Sequence, residues 1–271
     1  MLYYAGRLSC LGLPCVAVVG ARSPSAYGRE MSRSIARGLA EAGVCVVSGL
    51  AFGIDEAAHL GALDANGCTV GILGSGINNP YPAEHRGLLR AIAGGNGLVM
   101  SEYPLDAEPM PYHFPHRNRI ISGLSLGVVL VEGRIKSGGM RTVMAALSQG
   151  REVFAVPGRV GTLYSEGPHT ILREGARIAT CAQDILDDLE IETPADEGKS
   201  EPQDGLDAAQ TEIVNALKVE PMNIEELSSK LNKGADALIS EIGMLEIMGK
   251  VTREAGNRFA VPISGELRRR S

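Results

Sequence analysis

Through the first 180 residues, apolar runs of strand length alternate with segments of helical period, and four of the runs stop at a glycine-bearing turn. That alternation is the pattern of parallel βαβ units, in which helices cover both faces of a buried sheet. Residues 16–19 run into Gly20-Ala21-Arg22 and a helix over about 27–42, and residues 44–47 run into Ser48-Gly49 and a helix over about 54–66. Residues 69–73 run into Gly74-Ser75-Gly76, and Pro82 stands where a helix can start without losing a hydrogen bond. Residues 98–100 open a loop carrying Pro104, Pro109, Pro111 and Pro115, after which a short helix over about 117–122 leads to a strand over 128–131. Ser137-Gly138-Gly139 begins a helix over 140–149, residues 153–156 end at Pro157-Gly158, and a small unit over 171–189 closes the domain. The spacing predicts an α/β domain over 1–190 built as an extended Rossmann-like, doubly wound parallel sheet.

Charge divides the chain where this pattern stops. The net charge is −6, yet residues 1–180 hold 16 Lys+Arg against 13 Asp+Glu, whereas 181–271 hold 10 against 19. Only the first domain is therefore expected to bind a polyanion. Between 181 and 204 there are nine acidic residues and one Lys, with Pro194, Gly198 and Pro202, which predicts a linker over 191–206. Helical segments over 210–217, 224–231 and 236–248, followed by short strands at Val251 and 258–261, predict a small winged-helix domain over 207–262. A basic tail over 263–271 carries Arg268, Arg269 and Arg270 and is expected to be a solvated terminus. The 236–248 segment, which would enter a major groove, has three acids, no base and a surplus of Leu238, Ile239, Ile242, Leu245 and Ile247. Protein contact is the expectation there, not base readout.

Several function classes drop out. No apolar run approaches the roughly 18–20 residues of a membrane span. The start, 1–7, lacks a basic stretch leading into a long apolar one, so a cytoplasmic protein is expected. Cys10, Cys15, Cys45, Cys68 and Cys181 are widely spaced, and no CxxC or HExxH pair exists. Buried thiols and no metal are the expectation. Neither GxGxxG with a later acid nor GxxxxGK[ST] is present, which argues against a dinucleotide cofactor and against nucleoside triphosphate hydrolysis.

In a doubly wound sheet the glycine turns gather at one edge, where helix N-termini present unpaired N–H groups to anions. The candidate ligands are then Arg22 after the first strand, Ser48 and Gly49 after the second, Gly74, Ser75 and Gly76 after the third, and Ser137, Gly138 and Gly139 before the 140–149 helix. Several separate anion sites suit a polymer of phosphates better than one nucleotide. Phe114-Pro115-His116-Arg117-Asn118-Arg119 adds a ring for stacking, an amide for a base edge and two guanidinium groups within one turn.

Together with these residues, the strings VAVVGAR, VVSGLAFGID, GSGINNPYPAEH, MSEYP, FPHRNRIISGLSLGVVLVE, KSGG, SQGREVFAVPG and REGA resemble the DprA/Smf (DNA-processing protein A) family over about residues 16–178. The resemblance implies a non-catalytic, homodimeric single-stranded-DNA-binding protein. Such a protein shields strands and helps load a RecA-type recombinase in natural transformation and recombination. It implies DNA contacts by Arg22, Arg117, Arg119, Lys136, Ser137 and Gly138, and a base pocket at Phe114 and Asn118. The departures are Ala21 for the usual Ser, Phe52 for the usual Arg, and His169 for the usual Asn, with Arg141 and Thr142 completing an altered turn after Lys136. The resemblance begins near the start of the family's Rossmann-like domain, so the helical domain that precedes it in some members is expected to be missing. Homodimer contacts are expected from the apolar segments 124–131 and 143–147.

A second reading is a nucleotide-processing hydrolase of the lysine-decarboxylase-like superfamily, whose PGGxGTxxE motif supplies a catalytic Glu. Gly138-Gly139-Met140-Arg141-Thr142 aligned to it places Ala145 at that Glu, so this route lacks its base. Asp55, His59, Glu102 and Glu132 remain as titratable candidates. A third reading is a protein-interaction scaffold, prompted by Ala21 and Phe52.

Overall fold

In the computed structural model, which describes residues 1–191, 208–231, 233–254 and 258–261, chain contacts separate two units, Met1–Ala195 and Asp196–Ser271. The first contains β1 (Tyr3–Gly6), β2 (Cys15–Val19), α1 (Ala26–Glu41), β3 (Cys45–Ser48), α2 (Ile54–Asp64), β4 (Thr69–Leu73), α3 (Arg86–Gly94) and β5 (Leu98–Ser101). It continues with α4 (His113–Leu124), β6 (Gly127–Leu130), α5 (Gly138–Ser148), β7 (Glu152–Ala155), α6 (Glu166–Arg173), β8 (Arg177–Ile178) and α7 (Ala182–Asp188). The strands form one eight-stranded sheet in the order β1-β5-β4-β3-β2-β6-β7-β8. All neighbours are parallel except β1, which pairs antiparallel with β5.

Side-chain alternation along β2 shows how the sheet is covered. Cys15, Ala17 and Val19 pack with Ile121 of α4 and Val143 of α5, whereas Val16 and Val18 pack with Ile35 and Leu39 of α1. The chain walks outward from β2 through β3 and β4 to β5, then returns to lay β6 on the other side of β2. Connections therefore leave β2 and β6 in opposite directions, opening a crevice at their carboxyl ends, which is where ligands bind in such sheets.

Three local expectations change. The sheet begins with β1, a four-residue edge strand whose residues alternate between half-buried and exposed, too short a pattern to separate from loop. Helix α4 starts at His113 rather than near 117, because Pro115 falls in the first turn, where the missing N–H would have no helical partner. Pro82 precedes a single 3-10 turn, Ala83–His85, and α3 begins only at Arg86.

Of the two segments expected to reach a second copy, most is spent internally on β6 and the inner face of α5, leaving Leu126, Met144 and Leu147 exposed. Cys10, Cys15 and Cys45 are buried, but Cys68 is half-buried and Cys181 is exposed at the start of α7, against the expectation of uniformly buried thiols. Among the described residues, no cluster could hold a metal ion, and no helix is long and apolar enough to cross a membrane.

The second unit has α8 (Ala208–Val219), α9 (Ile224–Leu231), α10 (Ala235–Ile247) and an antiparallel hairpin of β9 (Thr252–Glu254) and β10 (Arg258–Ala260). Met222, between α8 and α9, bridges to Phe259 of the hairpin, completing a winged helix. Its core joins Ile213, Leu217, Leu227, Leu238, Ile242, Leu245 and Phe259. The expected linker beyond residue 191 and the expected basic tail over 263–271 lie outside the described residues.

Candidate nucleic-acid interface

The crevice at the β2–β6 switch is a cleft of about 850 Å³, walled by the turn after β2, the first turns of α4, the loop from Arg134 into α5, and Pro109 with Pro111. The α5 N-terminus opens into it. Ser137 caps that helix, its Oγ accepting the Met140 N–H at 3.3 Å, and space beside Gly138 is empty. Gly139 brings the two walls together: a Cβ there would lie 3.1 Å from the Gly20 Cα and 2.9 Å from Leu130 Cδ1. Arg22, Arg134, Lys136 and Arg141 line the cleft and are exposed. Among the described residues none of the four pairs with a carboxylate. The Arg22 guanidinium sits 5.7 Å from the Phe114 ring centroid, and Tyr81 meets the same ring at 5.4 Å. A dense field of unpaired cations beside an open helix N-terminus and two rings attracts phosphates and offers bases a surface.

The other turns are closed from within by the protein's own groups. At α1, the position where a nucleotide phosphate would sit is filled by Glu132, which accepts the Ser25 N–H at 2.8 Å and the Ser25 hydroxyl at 2.6 Å. At the second turn, Asp55 accepts the Gly49 N–H at 3.1 Å, and the Ser48 hydroxyl donates to the Val18 carbonyl at 2.7 Å. Arg117, buried, points into the same turn, donating from one nitrogen to the Gly49 carbonyl at 2.7 Å and to the Ile72 carbonyl. Burial pulls the Arg117 pKa down to about 10 against the attraction of Asp55, so it remains a cation at neutral pH. Burial in turn pushes Asp55 upward, opposed first by Arg117.

The third turn is sealed as well. The Phe114 ring covers Gly74, Ser75 is buried, and the N–H of Gly76 donates to the Ala107 carbonyl at 2.8 Å. A Cβ on Gly76 would come within 2.2 Å of the Leu105 carbonyl oxygen, so only glycine lets the 104–107 loop lie this close. Asn118, buried, donates to the Gly138 carbonyl at 3.3 Å and accepts from Arg117 Nε, while Thr142 donates to the same Gly138 carbonyl. Both set the height of the α5 terminus. Arg119 falls outside the cleft lining and grips Glu102 through both carboxylate oxygens, at 2.5 and 2.6 Å.

The four glycine turns expected to gather at one edge thus differ in how open they are. Arg22, Phe114, Lys136, Ser137, Gly138 and Arg141 come together in the open cleft, and Gly139 and Thr142 shape its floor. Ser48, Gly49, Arg117 and Asn118 support it from inside, Gly74, Ser75 and Gly76 are covered, and Arg119 faces elsewhere. Sequence reasoning missed Arg134 and Tyr81. Arg134 lies two residues after Glu132 in the connection leaving β6, and the strand order places that connection at the crevice; Tyr81 carries no such signal.

The candidate titrating groups are also committed. His59 is fully buried with Nδ1 2.7 Å from the Thr69 hydroxyl, and burial holds its pKa down at about 3, so it stays neutral. Glu102 is paired with Arg119, Glu132 with Ser25, and Asp55 faces Arg117.

A sequence model of the family described as DNA recombination-mediator protein A matches residues 1–190, and one of the DprA winged helix domain matches residues 197–257. Protein Smf of Escherichia coli is 36% identical over 261 residues, covering 94% of this chain and 70% of that protein. DNA processing protein DprA of Streptococcus pneumoniae is 42% identical over 191 residues, 70% of this chain and 67% of its own length. The X-ray structure of that pneumococcal protein superposes with a TM-score of 0.67 over 70% of this chain and 67% of its own. A Helicobacter pylori DNA processing protein A structure, described by its single-stranded DNA binding mode, gives 0.63 at 31% identity, covering 70% of this chain and 86% of that one. Matches that run through both the sheet domain and the winged helix, at these identities, establish that this chain belongs to the DNA recombination-mediator protein A (DprA/Smf) family of DNA-processing proteins.

Proposed function

We propose that the 1–190 domain binds single-stranded DNA in the β2–β6 cleft. The backbone crosses the α5 N-terminus between Arg22, Arg134, Lys136 and Arg141, and a base stacks at Phe114 and Tyr81. The observation that carries this is the gathering in one cleft of two rings and four cations that have no carboxylate partner among the described residues. A duplex hides its base faces, so the rings reward only an unpaired strand. The likeness to the Helicobacter pylori protein supports the same ligand. Binding, with no reaction, is the reading that fits the commitment of Asp55, His59, Glu102 and Glu132 to internal partners.

Fluorescence anisotropy of the full chain against single-stranded DNA, duplex DNA and RNA tests this. Single-stranded DNA is expected to bind tighter than duplex, and Phe114→Ala is expected to weaken it by about 1–3 kcal/mol, with duplex affinity little changed. Equal affinity for duplex together with an indifferent Phe114→Ala removes the proposal. In the family reading the bound strand is then handed to a RecA-type recombinase by a homodimer, in natural transformation or recombination. Light scattering of the same sample reads the homodimer directly, and a monomer at tens of micromolar removes it.

We further infer that the winged helix over 207–262 meets protein, not a DNA groove. Ile239, Met244, Ile247 and Met248 of α10 and its end are exposed, with Ile247 at 85%. The acids Glu241 and Glu246 on α10 engage Gln210 and Arg253. Ile239→Glu with Ile247→Glu is expected to leave stability within about 0.5 kcal/mol and DNA affinity within a few-fold, since both side chains point to solvent. A tenfold or greater loss of duplex binding in that variant overturns the inference.

A further inference from the structure

At the end of the sheet opposite the cleft, four of the five cysteines converge. Cys15 opens β2 and Cys45 opens β3, and the two are register partners in the parallel pair. Cys68 stands immediately before β4, and Cys10 lies in the turn that joins β1 to β2. The Cys10 and Cys68 sulfurs are 2.8 Å apart although the residues are 58 positions apart in the chain. Cys10 is also held at 3.3 Å from the Asn96 carbonyl, and the Arg7 N–H donates to Gly97 at 2.9 Å, so the turn carrying Cys10 is pinned to the chain entering β5.

We propose that Cys10 and Cys68 form a reversible disulfide when a hydroperoxide is present, making the amino-terminal end of the sheet a thiol modification site.

The geometry is close to what the bond requires. A disulfide needs sulfurs at about 2.05 Å, so the pair has well under an ångström to close. Cys68 is half-buried, so a small oxidant reaches the pair from its side, and its partner Cys10 lies buried behind it. Neighbouring thiols prepare the partner. Hydrogen bonding from Cys45 foremost, opposed by burial and helped by Cys68 and the charge of Arg7, lowers the Cys10 pKa to about 6. Cys45 is raised in turn, first by its hydrogen bonds to Cys10 and Cys15, and stays a thiol.

The chemistry balances with one hydroperoxide molecule. Burial first, and then the hydrogen bond to Cys10, push the Cys68 thiol up to about 12, so Cys10 is the thiolate of the pair. The Cys10 thiolate attacks the peroxide oxygen; the O–O bond breaks and the leaving oxygen takes up a proton from water, departing as water or as an alcohol. The Cys68 sulfur then attacks the sulfenic sulfur of Cys10; the S–S bond forms, the S–O bond breaks, and water leaves with the proton that Cys68 held. Two thiols lose two electrons and the peroxide gains them. A dithiol reductant reverses the change by exchange at either sulfur.

The expected effect is on the domain's rigidity, not on its cleft, which lies at the opposite strand ends. Cross-linking residues this far apart constrains the unfolded chain and is expected to raise Tm by roughly 10 °C. The test treats the full chain with a slight excess of hydrogen peroxide, alkylates residual thiols, and maps peptides under non-reducing conditions. A peptide joining Cys10 to Cys68, removed by dithiothreitol, is expected, with the Tm rise present in Cys181→Ser and absent in Cys68→Ser. The wild-type peptide map stands even where Cys68→Ser folds poorly. Linkage through Cys181 alone, over-oxidation of Cys10 without a partner, or protection of all four thiols by co-purified zinc would each overturn the proposal.

Discussion

Arg117→Ala is expected to lower the stability of the first domain by about 3–5 kcal/mol, the cost of leaving a buried charge without its partner. The guanidinium is buried among Gly49, Ile72, Asn118 and Asp55, and it donates to the backbone carbonyls of Gly49 and Ile72. Its loss strands Asp55 beside apolar walls and leaves those carbonyls unmatched. Equilibrium unfolding in urea measures the change, and Tm should fall by roughly 10 °C for a domain of this size. Arg117→Met combined with Asp55→Asn is expected to recover much of the loss, since removing both charges removes the uncompensated one. DNA affinity of the single variant, measured well below its Tm, should fall less than its stability implies. A stability loss under about 1 kcal/mol, with binding abolished, would instead make Arg117 a direct contact.

Replacing Arg22, Arg134 and Arg141 together by alanine should have the opposite signature, with stability unchanged and binding lost. All three side chains are exposed at the cleft. If each touches one phosphate, the slope of log affinity against log salt on single-stranded DNA drops by about 0.7 per residue, or about 2 in total. At low salt the affinity falls roughly a thousand-fold, at about tenfold per charge-assisted contact. Arg119→Ala serves as the contrasting case. Both its hydrogen bonds go to Glu102 and it lies outside the cleft, so slope and affinity should stay near those of the parent. Should Arg119→Ala cost as much as the triple change, the strand runs along the Glu102 side and the assigned cleft is wrong.

Much of the sheet was readable because its strands are buried on both faces and therefore uniformly apolar, from 16–19 through 153–156. What escaped was short or disguised. β1 is an edge strand with an exposed face, and the first turn of α4 hides behind Pro115, a residue that signals a loop unless it falls in one of the few helical positions that tolerate it. The exposed face of α10 was legible as an excess of Ile and Met, since a helix of its length needs only one stripe for a core.

The chain's own pattern determined the class of fold, the family, and the short list of turns and cations from which a phosphate site could be built. Tertiary structure alone decided which turn is open. The groups that close the others come from far along the chain: Glu132 reaches Ser25 across 107 positions, and Arg117 reaches Gly49 across 68. No local pattern announces such a partner, because the strand order that returns β6 beside β2 is what delivers a carboxylate to one helix N-terminus. The same return leaves the neighbouring α5 N-terminus uncovered. An anion site is a surplus of donors over acceptors within a few ångströms, and that balance exists only once the sheet has assembled.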